Sequence, residues 1–337
     1  MINKKVSIII PTYKRADKIH RAINSALEQT YENIEVIVVD DNDLDNYKLE
    51  LENKMKVYED NPKVKFIQHN ENKNGAFARN TGFEHSEGDY ICFLDDDDFY
   101  LKNRVKKSVE ALENNPDYFG VYTSVLTIMN NGLLRIFPAE KSGDLSKELL
   151  LNNLLIGTGS NIFLKREAYE TLKGFDTTFI RHQDIEFMLR FFDHYKLLAL
   201  NEILIVKDNY NPINIPNYLS YKKVKEYFFN KFDDKINQLT PSERKQFFYK
   251  NHFELLKVAT QERKLEFILE MLKAIYNDNQ RITIREWVSI ICLFLKLDFK
   301  IIKSIKIKRN NKYIISNLKK TEIDEIKIRG ITLGSEN

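Results

Sequence analysis

The sequence predicts an α/β fold with a mostly parallel central sheet, followed by a mainly helical appendage, and three observations predict it. Short β-branched apolar runs alternate with helix-period segments through the first hundred residues. Polar, chemistry-bearing residues follow each of those runs directly. From Leu219 onward Lys, Glu, Phe, Tyr and Leu dominate, Pro241 is the only proline, and glycine is absent until Gly330.

Residues 6–10, 35–39, 64–68 and 90–94 are near-continuous apolar runs of strand length, the pattern of strands buried on both faces. Between the first two, Ile19, Ala22, Ile23, Ala26 and Leu27 recur at helical spacing, which gives one apolar face for the sheet. After the fourth, Leu101, Val105, Val109 and Leu112 mark a helix that Asn114-Asn115-Pro116 stops. From Asp117 to about Asn217 strand and helix patterns mix, as in an irregular second half of the same domain. The boundary falls near residue 215, giving one domain over residues 1–215 and a helical domain over 216–337.

Composition narrows the class. Apolar residues at 43% and charged residues at 30% suit a soluble globular chain, and no stretch reaches the eighteen or so apolar residues of a membrane span. The apolar run after Lys4-Lys5 is too short for a signal peptide, so a cytoplasmic address is expected. Cys92 and Cys292, two hundred positions apart in apolar runs, read as buried thiols rather than a disulfide or a zinc site. The turn after the first strand lacks glycine, which excludes a dinucleotide-dependent oxidoreductase and a P-loop enzyme. The six histidines are scattered and form no nucleophile constellation, and nucleic acid is not an expected partner. A net charge of +3 says little globally, but residues 281–320 hold eleven Lys or Arg against Glu286 and Asp298 alone.

In an open parallel sheet, ligands bind just outside the carboxyl ends of the strands. Those positions hold Pro11-Thr12-Tyr13-Lys14-Arg15, Asp40-Asp41-Asn42-Asp43, a loop with Asn74-Gly75 and Ala78-Arg79-Asn80-Thr81-Gly82, and Asp95-Asp96-Asp97-Asp98. Four adjacent carboxylates repel one another and need a cation or solvent to offset them. Mn²⁺ or Mg²⁺ commonly joins one or two carboxylates to substrate phosphates, which suits Asp97 helped by Asp95. A second reading has the aspartates charging the N-terminus of the helix that begins near Leu101, a role that fits Asp98. Asp184 starts an amphipathic segment containing Phe187, Met188, Phe191 and Phe192, a rigid helix start that fixes the place of a carboxylate. His182, two positions earlier, is a candidate for contact with a metal or a phosphate.

In this order and spacing, six segments resemble glycosyltransferase family 2, the inverting GT-A group, over about residues 4–205. They are Val6-Ser7-Ile8-Ile9-Ile10-Pro11-Thr12-Tyr13-Lys14-Arg15, Ser25-Ala26-Leu27-Glu28-Gln29-Thr30-Tyr31, Val38-Val39-Asp40-Asp41, the Asn74 to Gly82 segment, Gly88 through Asp98, and Gly174-Phe175-Asp176 with His182 to Phe187. The resemblance implies a GT-A catalytic domain that takes a UDP-sugar donor, with Pro11, Thr12 and Tyr13 lining the uridine pocket. Asp41 would accept the ring N–H of the base. Arg15, Arg79, Asp95 and Asp96 would lie at the nucleotide-sugar, Asp97, Asp95 and His182 at the metal, and Asp184 would be the catalytic base. Beside these stand plainer roles: a turn residue for Asp41, a surface arginine for Arg79, a helix first-turn acid for Asp184. The chain departs from the family pattern at Asp-Asp-Asn-Asp, where Asp-Asp-Gly-Ser is usual, and at Gln183, where Glu is usual.

The Gln-x-x-Arg-Trp pattern of processive members is absent, Trp287 sitting in Arg285-Glu286-Trp287, so single-sugar addition is expected. The implied acceptor is a glycan, free or linked to lipid or protein, in bacterial surface polysaccharide or glycoprotein glycan synthesis. A catalytically silent scaffold subunit and a nucleotidyltransferase remain as alternatives, and a homo-oligomer stands among the candidate partners of the chain. In the appendage, Trp287, Ile290, Ile291, Phe294, Leu295 and Leu297 precede a basic run of Lys296, Lys300, Lys303, Lys306, Lys308 and Arg309. That combination suits a helix lying on anionic lipid at the inner face of the plasma membrane. It equally suits packing against Tyr227, Phe228, Phe247 and Phe253 with a solvated basic face.

Overall fold

The computed structural model describes residues 4–129, 132–151, 159–209, 217–278, 281–295 and 310–331. The four apolar runs form β1 (Val6–Thr12), β2 (Ile34–Asp40), β3 (Val64–Gln68) and β4 (Tyr90–Phe93), connected by α1 (Ile19–Leu27), α2 (Asp45–Met55) and α3 (Gly75–Glu84). They lie parallel in the order β3-β2-β1-β4. β2 is buried along its whole length and β3, at the edge, is half-buried, which is why the inner strands read as continuous apolar runs. α1 packs Ile19, Ala22, Ile23 and Ala26 into one core with Val6, Ile8, Val36 and Val38, as its periodicity predicts.

Two local expectations change. The segment after Asn74 is a helix rather than a loop: the Asn74 side chain caps it by accepting the N–H groups of Ala76 and Phe77. Gly82 lets that helix lie against β1, since a Cβ there would sit 2.3 Å from Ile9 Cγ2. The helix expected from Leu101 begins at Arg104, as α4 (Arg104–Asn114), because Phe99 and Tyr100 form the short strand β5 first. The acidic run is thus a turn between two strands.

The second half adds β6 (Gly120–Met129), β7 (Leu134–Phe137), α5 (Ser146–Leu150), β8 (Phe163–Lys165), α6 (Arg166–Thr171), α7 (Gln183–Phe191) and β9 (Leu197–Asn209). The sheet continues as β4-β8-β6-β9-β5, with β7 on β6. β8 is antiparallel to both β4 and β6, and β6 is parallel to β9. The carboxyl end of β9 therefore lies on the same sheet edge as those of β1 to β4.

The chain separates into two compact units. The second comprises Leu150–Asn153 and Pro212–Lys306, with α8 (Tyr218–Lys231), α9 (Asp233–Asn237), α10 (Pro241–Glu262), α11 (Leu265–Asn277) and α12 (Ile284–Leu295). α10 opens on a capping box between Thr240 and Glu243, with Pro241 in its first turn. The unit's core holds Tyr218, Leu255, Leu256, Ala259, Met271, Ile275 and Ile290.

Residues 307–337, expected in the appendage, cluster instead with the first unit. The helical residues 310–317 and α13 (Lys320–Ile328) put Ile314, Leu318 and Ile326 into a core with Phe99, Leu101, Leu126, Leu134 and Val206. Asn311 accepts the Leu134 N–H and donates to the Gly132 carbonyl, and Glu325 accepts the Lys102 N–H. Leu297 and the basic residues from Lys296 to Arg309 lie outside the described residues. Cys92 is buried and Cys292 half-buried, and both are free. Among the described residues, no helix is long and apolar enough to cross a membrane.

Candidate active site

The ends of β1 and β2 are stitched together. Asp41 donates its N–H to the Thr12 carbonyl at 2.9 Å, and Lys14, in the left-handed region at φ 57°, donates its N–H to Asn42 Oδ1 at 2.7 Å. Pro11 and Tyr13 stay partly exposed, whereas Thr12 is buried and donates its hydroxyl to Asp96 at 2.8 Å. The Asp41 carboxylate accepts from the Lys73 N–H at 2.9 Å and Asn72 Nδ2 at 2.9 Å, and pairs with His69 Nδ1 at 2.8 Å. Burial pushes its pKa up in spite of these partners. Asp41 thereby ties the end of β2 to the segment after β3.

The acidic turn is clamped from both sides. Tyr100 donates its N–H to Ser25 Oγ at 3.1 Å and its hydroxyl to the Phe93 carbonyl at 2.5 Å. Gln29 of the same α1 motif donates to the Leu101 carbonyl and accepts the Val105 N–H. Within the turn, Asp95 takes Arg79 Nη2 at 2.7 Å and Lys207 Nζ at 3.4 Å. Asp96 takes Arg15 at 3.2 Å, Asp97 also pairs with Arg15, and Asp98 takes Lys207 at 2.5 Å and the Ser160 hydroxyl at 2.6 Å.

Burial pushes Asp95 upward, but Lys207 and Arg79 outweigh it and hold the carboxyl at about 2. Burial raises Asp96 and Asp98 to about 6 against Arg15 and Lys207 respectively. Asp97 also rises to about 6, through burial and then repulsion from Asp96 and Asp95. Three cations thus meet four carboxylates, and repulsion, present also at Asp96 and Asp98, weighs most at Asp97, where it comes directly after burial. Much of the compensation that the sequence reading assigned to metal or solvent comes from Arg15, Arg79 and Lys207. Asp98 is no helix cap, since α4 begins six residues later, and Arg79 is no free surface arginine.

α7 begins after His182, whose φ of 59° is left-handed. Asp184, in its first turn, accepts the Ile185 N–H at 3.0 Å. Burial raises its carboxyl to about 6, with Arg79 opposing and Asp95 adding to the rise. Arg79 Nη1 donates to Gln183 Oε1 at 3.3 Å, so one guanidinium joins α3, the acidic turn and the start of α7. Glu186 is buried and holds Arg190 through two bonds of 2.6 and 2.8 Å, and Arg190 also caps the Leu172 and Gly174 carbonyls. Asn80 accepts the Phe175 N–H and the Tyr169 hydroxyl, which fixes the Gly174-Phe175 turn beneath α7.

Among the described residues, no three His, Cys, Asp or Glu side chains gather into a set that could hold a metal by themselves, so Asp95, Asp97 and His182 are not brought together as one ligand set. Asp97 and Asp95 still fit a divalent ion that takes the rest of its shell from phosphate and water. Their oxygens are hard ligands, both side chains are partly exposed at 18% and 25%, and repulsion at Asp97 is what a cation would relieve.

Sequence reasoning missed Lys207, Asp208, Ser160 and Arg21. Arg21 Nη2 donates to the Asp97 carbonyl at 2.5 Å and to Asp208 at 2.9 Å, and Lys18 reaches Asp208 at 3.3 Å. A signal existed, because Lys207-Asp208 follows the apolar residues 203–206 just as Asp40-Asp41 follows 36–39.

The family model described as "Glycosyl transferase family 2" matches residues 7–173. The amylovoran biosynthesis glycosyltransferase AmsB of Erwinia amylovora is 33% identical over 190 residues, 55% of this chain and 62% of that protein. The Escherichia coli protein named UDP-Glc:alpha-D-GlcNAc-diphosphoundecaprenol beta-1,3-glucosyltransferase WfgD is 31% identical over 196 residues, 58% of this chain and 73% of that protein. The chain spans less than two thirds of the length of AmsB and of a Haemophilus influenzae glycosyltransferase at 61%. In fold it is similar to the Pyrobaculum calidifontis mannosyltransferase PcManGT, with a TM-score of 0.51 at 17% identity over 85% of this chain and 78% of the other. The match to Staphylococcus aureus TarS 1–349 has a TM-score of 0.50 at 14% identity over 81% and 89%. The family match takes in the carboxyl ends of β1 to β4 together with the acidic turn, and with WfgD similar across most of its own length the chain belongs to glycosyltransferase family 2.

Proposed function

We propose that this chain transfers a single sugar from a UDP-sugar to an acceptor hydroxyl, with inversion and with Mn²⁺ or Mg²⁺, in the synthesis of a bacterial surface polysaccharide or glycoprotein glycan. The observation that carries the reading is the Arg79 junction, where one guanidinium bonds Asp95 and the neighbour of Asp184. A diphosphate site and a proton acceptor are then parts of one network.

In a single displacement the acceptor oxygen bonds to the anomeric carbon while the bond from that carbon to the diphosphate breaks, its electron pair leaving with UDP. The hydroxyl proton passes to Asp184. A carboxyl raised to about 6 is ionised at neutral pH yet more basic than a free one, which suits a general base. Asp97 and Asp95 would hold the divalent ion, which when bound acts as a Lewis acid on the leaving diphosphate. Pro11 and Tyr13 offer partly exposed surface for the uracil ring, with Thr12 and Asp41 behind them, and Arg15 and Arg79 supply positive charge beside the phosphates. His182, at the left-handed start of α7, is assigned to the phosphate side of the same site.

UDP is preferred because WfgD and the E. coli protein WfaP, 36% identical over 114 residues, both carry names specifying UDP-Glc. Those names also specify a GlcNAc-diphosphoundecaprenol acceptor, which supports a lipid-linked acceptor here. The test is a donor screen with Mn²⁺, following nucleotide release from UDP-glucose, UDP-galactose, their N-acetyl forms and GDP-mannose. Release of UDP is expected. Pyrophosphate released from a nucleoside triphosphate would make the chain a nucleotidyltransferase, and silence toward every donor and acceptor would leave the scaffold reading.

A further inference from the structure

We propose that α12 rests an apolar stripe on the surface of an anionic lipid bilayer. Among the described residues seventeen large apolar side chains are exposed, and five of them lie on this one helix of twelve residues. Ile284 is 85% exposed, Trp287 41%, Val288 and Ile291 50% each, and Leu295 53%. At the angular step of an α-helix these five fall within an arc of roughly 100°, so they form one stripe.

The helix is already anchored by a different face. Ile290 is buried in the core with Leu255, Leu256 and Met271, Glu286 accepts the Tyr249 hydroxyl at 2.8 Å, and the Phe294 carbonyl accepts Arg263 Nε at 3.0 Å. Of the packing expected of this segment, Ile290 supplies the buried contact and Phe253 packs against the same core, and the stripe is left over. Exposed apolar patches of this kind mark protein or membrane contact.

Charge selects the occupant. Arg281 and Arg285 lie at the start of the segment against Glu286, and the sequence continues the same unit with Lys296, Lys300, Lys303 and Lys306 against Asp298 alone. A second copy would bring like charge to like charge, whereas a surface of anionic headgroups complements it. The twelve described residues of the helix span about 18 Å, against a hydrocarbon core of roughly 30 Å, which places the stripe along the surface. Trp287, with an apolar ring and an N–H donor, suits that boundary.

The sequence contains one tryptophan, so the unaltered full chain reports on the contact itself. Its emission is followed while vesicles of phosphatidylcholine, alone or mixed with phosphatidylglycerol, are added at low and high salt, and the vesicles are then sedimented. We expect a blue shift and co-sedimentation with the anionic vesicles, weakened about tenfold or more by neutral lipid or high salt. The triple variant Ile284→Ser, Val288→Ser, Ile291→Ser, checked for unchanged circular dichroism, should lose binding while keeping nucleotide release. An emission spectrum indifferent to anionic vesicles would overturn the proposal. So would lipid-free self-association that the triple variant abolishes, because it would make the stripe an interface between copies. No sugar nucleotide enters the measurement, so it stands or falls separately from the catalytic reading.

Discussion

Replacing Lys207 by Met removes the cation shared by Asp95 and Asp98 while keeping an unbranched side chain of similar length. Lys207 is 12% exposed and lies 2.5 Å from Asp98 and 3.4 Å from Asp95, and those carboxylates raise its own pKa against the effect of burial. Removing one partner of a buried pair costs about 3–5 kcal/mol. The pH dependence identifies the cause. Without the cation, Asp98, already at about 6, rises further and Asp95 loses part of what holds it at about 2. A carboxyl whose folded pKa exceeds its unfolded value gives stability that is present below the unfolded pKa and lost as pH rises through the folded one. The deficit of Lys207→Met relative to wild type should therefore be largest near pH 8 and shrink toward pH 5. Urea unfolding followed by far-UV circular dichroism measures it, with a separate transition allowed for the second unit. Trp287 fluorescence, which reports that second unit, serves as the control. A deficit below about 1 kcal/mol, or one equal at pH 5 and pH 8, would refute the assignment of Lys207 as counter-cation.

Asp184→Asn should leave UDP affinity near wild type and lower kcat by roughly a hundredfold or more, read from steady-state rates beside calorimetry; retained turnover would send the proton elsewhere. In the wild type, kcat/KM should fall about tenfold per unit of pH below about 6 as Asp184 protonates, and a flat profile down to pH 5 would exclude it as the base. Asp97→Ala should reduce UDP affinity in Mn²⁺ to its value in EDTA without lowering stability by more than about 1 kcal/mol, because a carboxylate whose pKa is raised this way costs the fold at neutral pH. Unchanged metal-dependent affinity in calorimetry would take Asp97 out of the metal site. Gly82→Ala should destabilise by about 1–3 kcal/mol in urea unfolding, since its Cβ would meet Ile9 Cγ2 at 2.3 Å, and a neutral result would mean that α3 can shift on β1.

The parts of the fold legible in the sequence were those whose signal is local. β1, β2 and β4 declared themselves because inner parallel strands are apolar on both faces, and α1 because its apolar positions recur at helical spacing. α3 was hidden by Gly75, Thr81 and Gly82, poor helix formers whose propensity is overridden by the Asn74 cap and by packing on β1. β5 is two residues long and exists because Phe99 and Tyr100 pair with Val206 and Ile205, more than a hundred positions away. The same distance concealed the C-terminal return: Ile314, Leu318 and Ile326 look like an ordinary helical stripe, and nothing nearby in sequence says that its partner is the sheet.

At the site the physics was legible and the identity of the ions was not. Four consecutive carboxylates do require positive charge, and the nearest candidate by sequence logic was a metal. The resident cations come from far along the chain, Lys207 from 109 residues beyond Asp98 and Arg15 from 82 before Asp97. Their distribution is uneven in a way that bears on the proposed chemistry. Asp95 is held by Arg79 and Lys207, Asp96 by Thr12 and Arg15, and Asp98 by Lys207 and Ser160, so three of the four carboxylates have two side-chain partners each and Asp97 has Arg15. Asp97 shares Arg15 with Asp96 and carries the repulsion of both Asp96 and Asp95. A divalent ion arriving with a diphosphate would therefore meet a turn already in place and one carboxylate short of positive charge, which spares the reorganisation that an unsupported cluster would need.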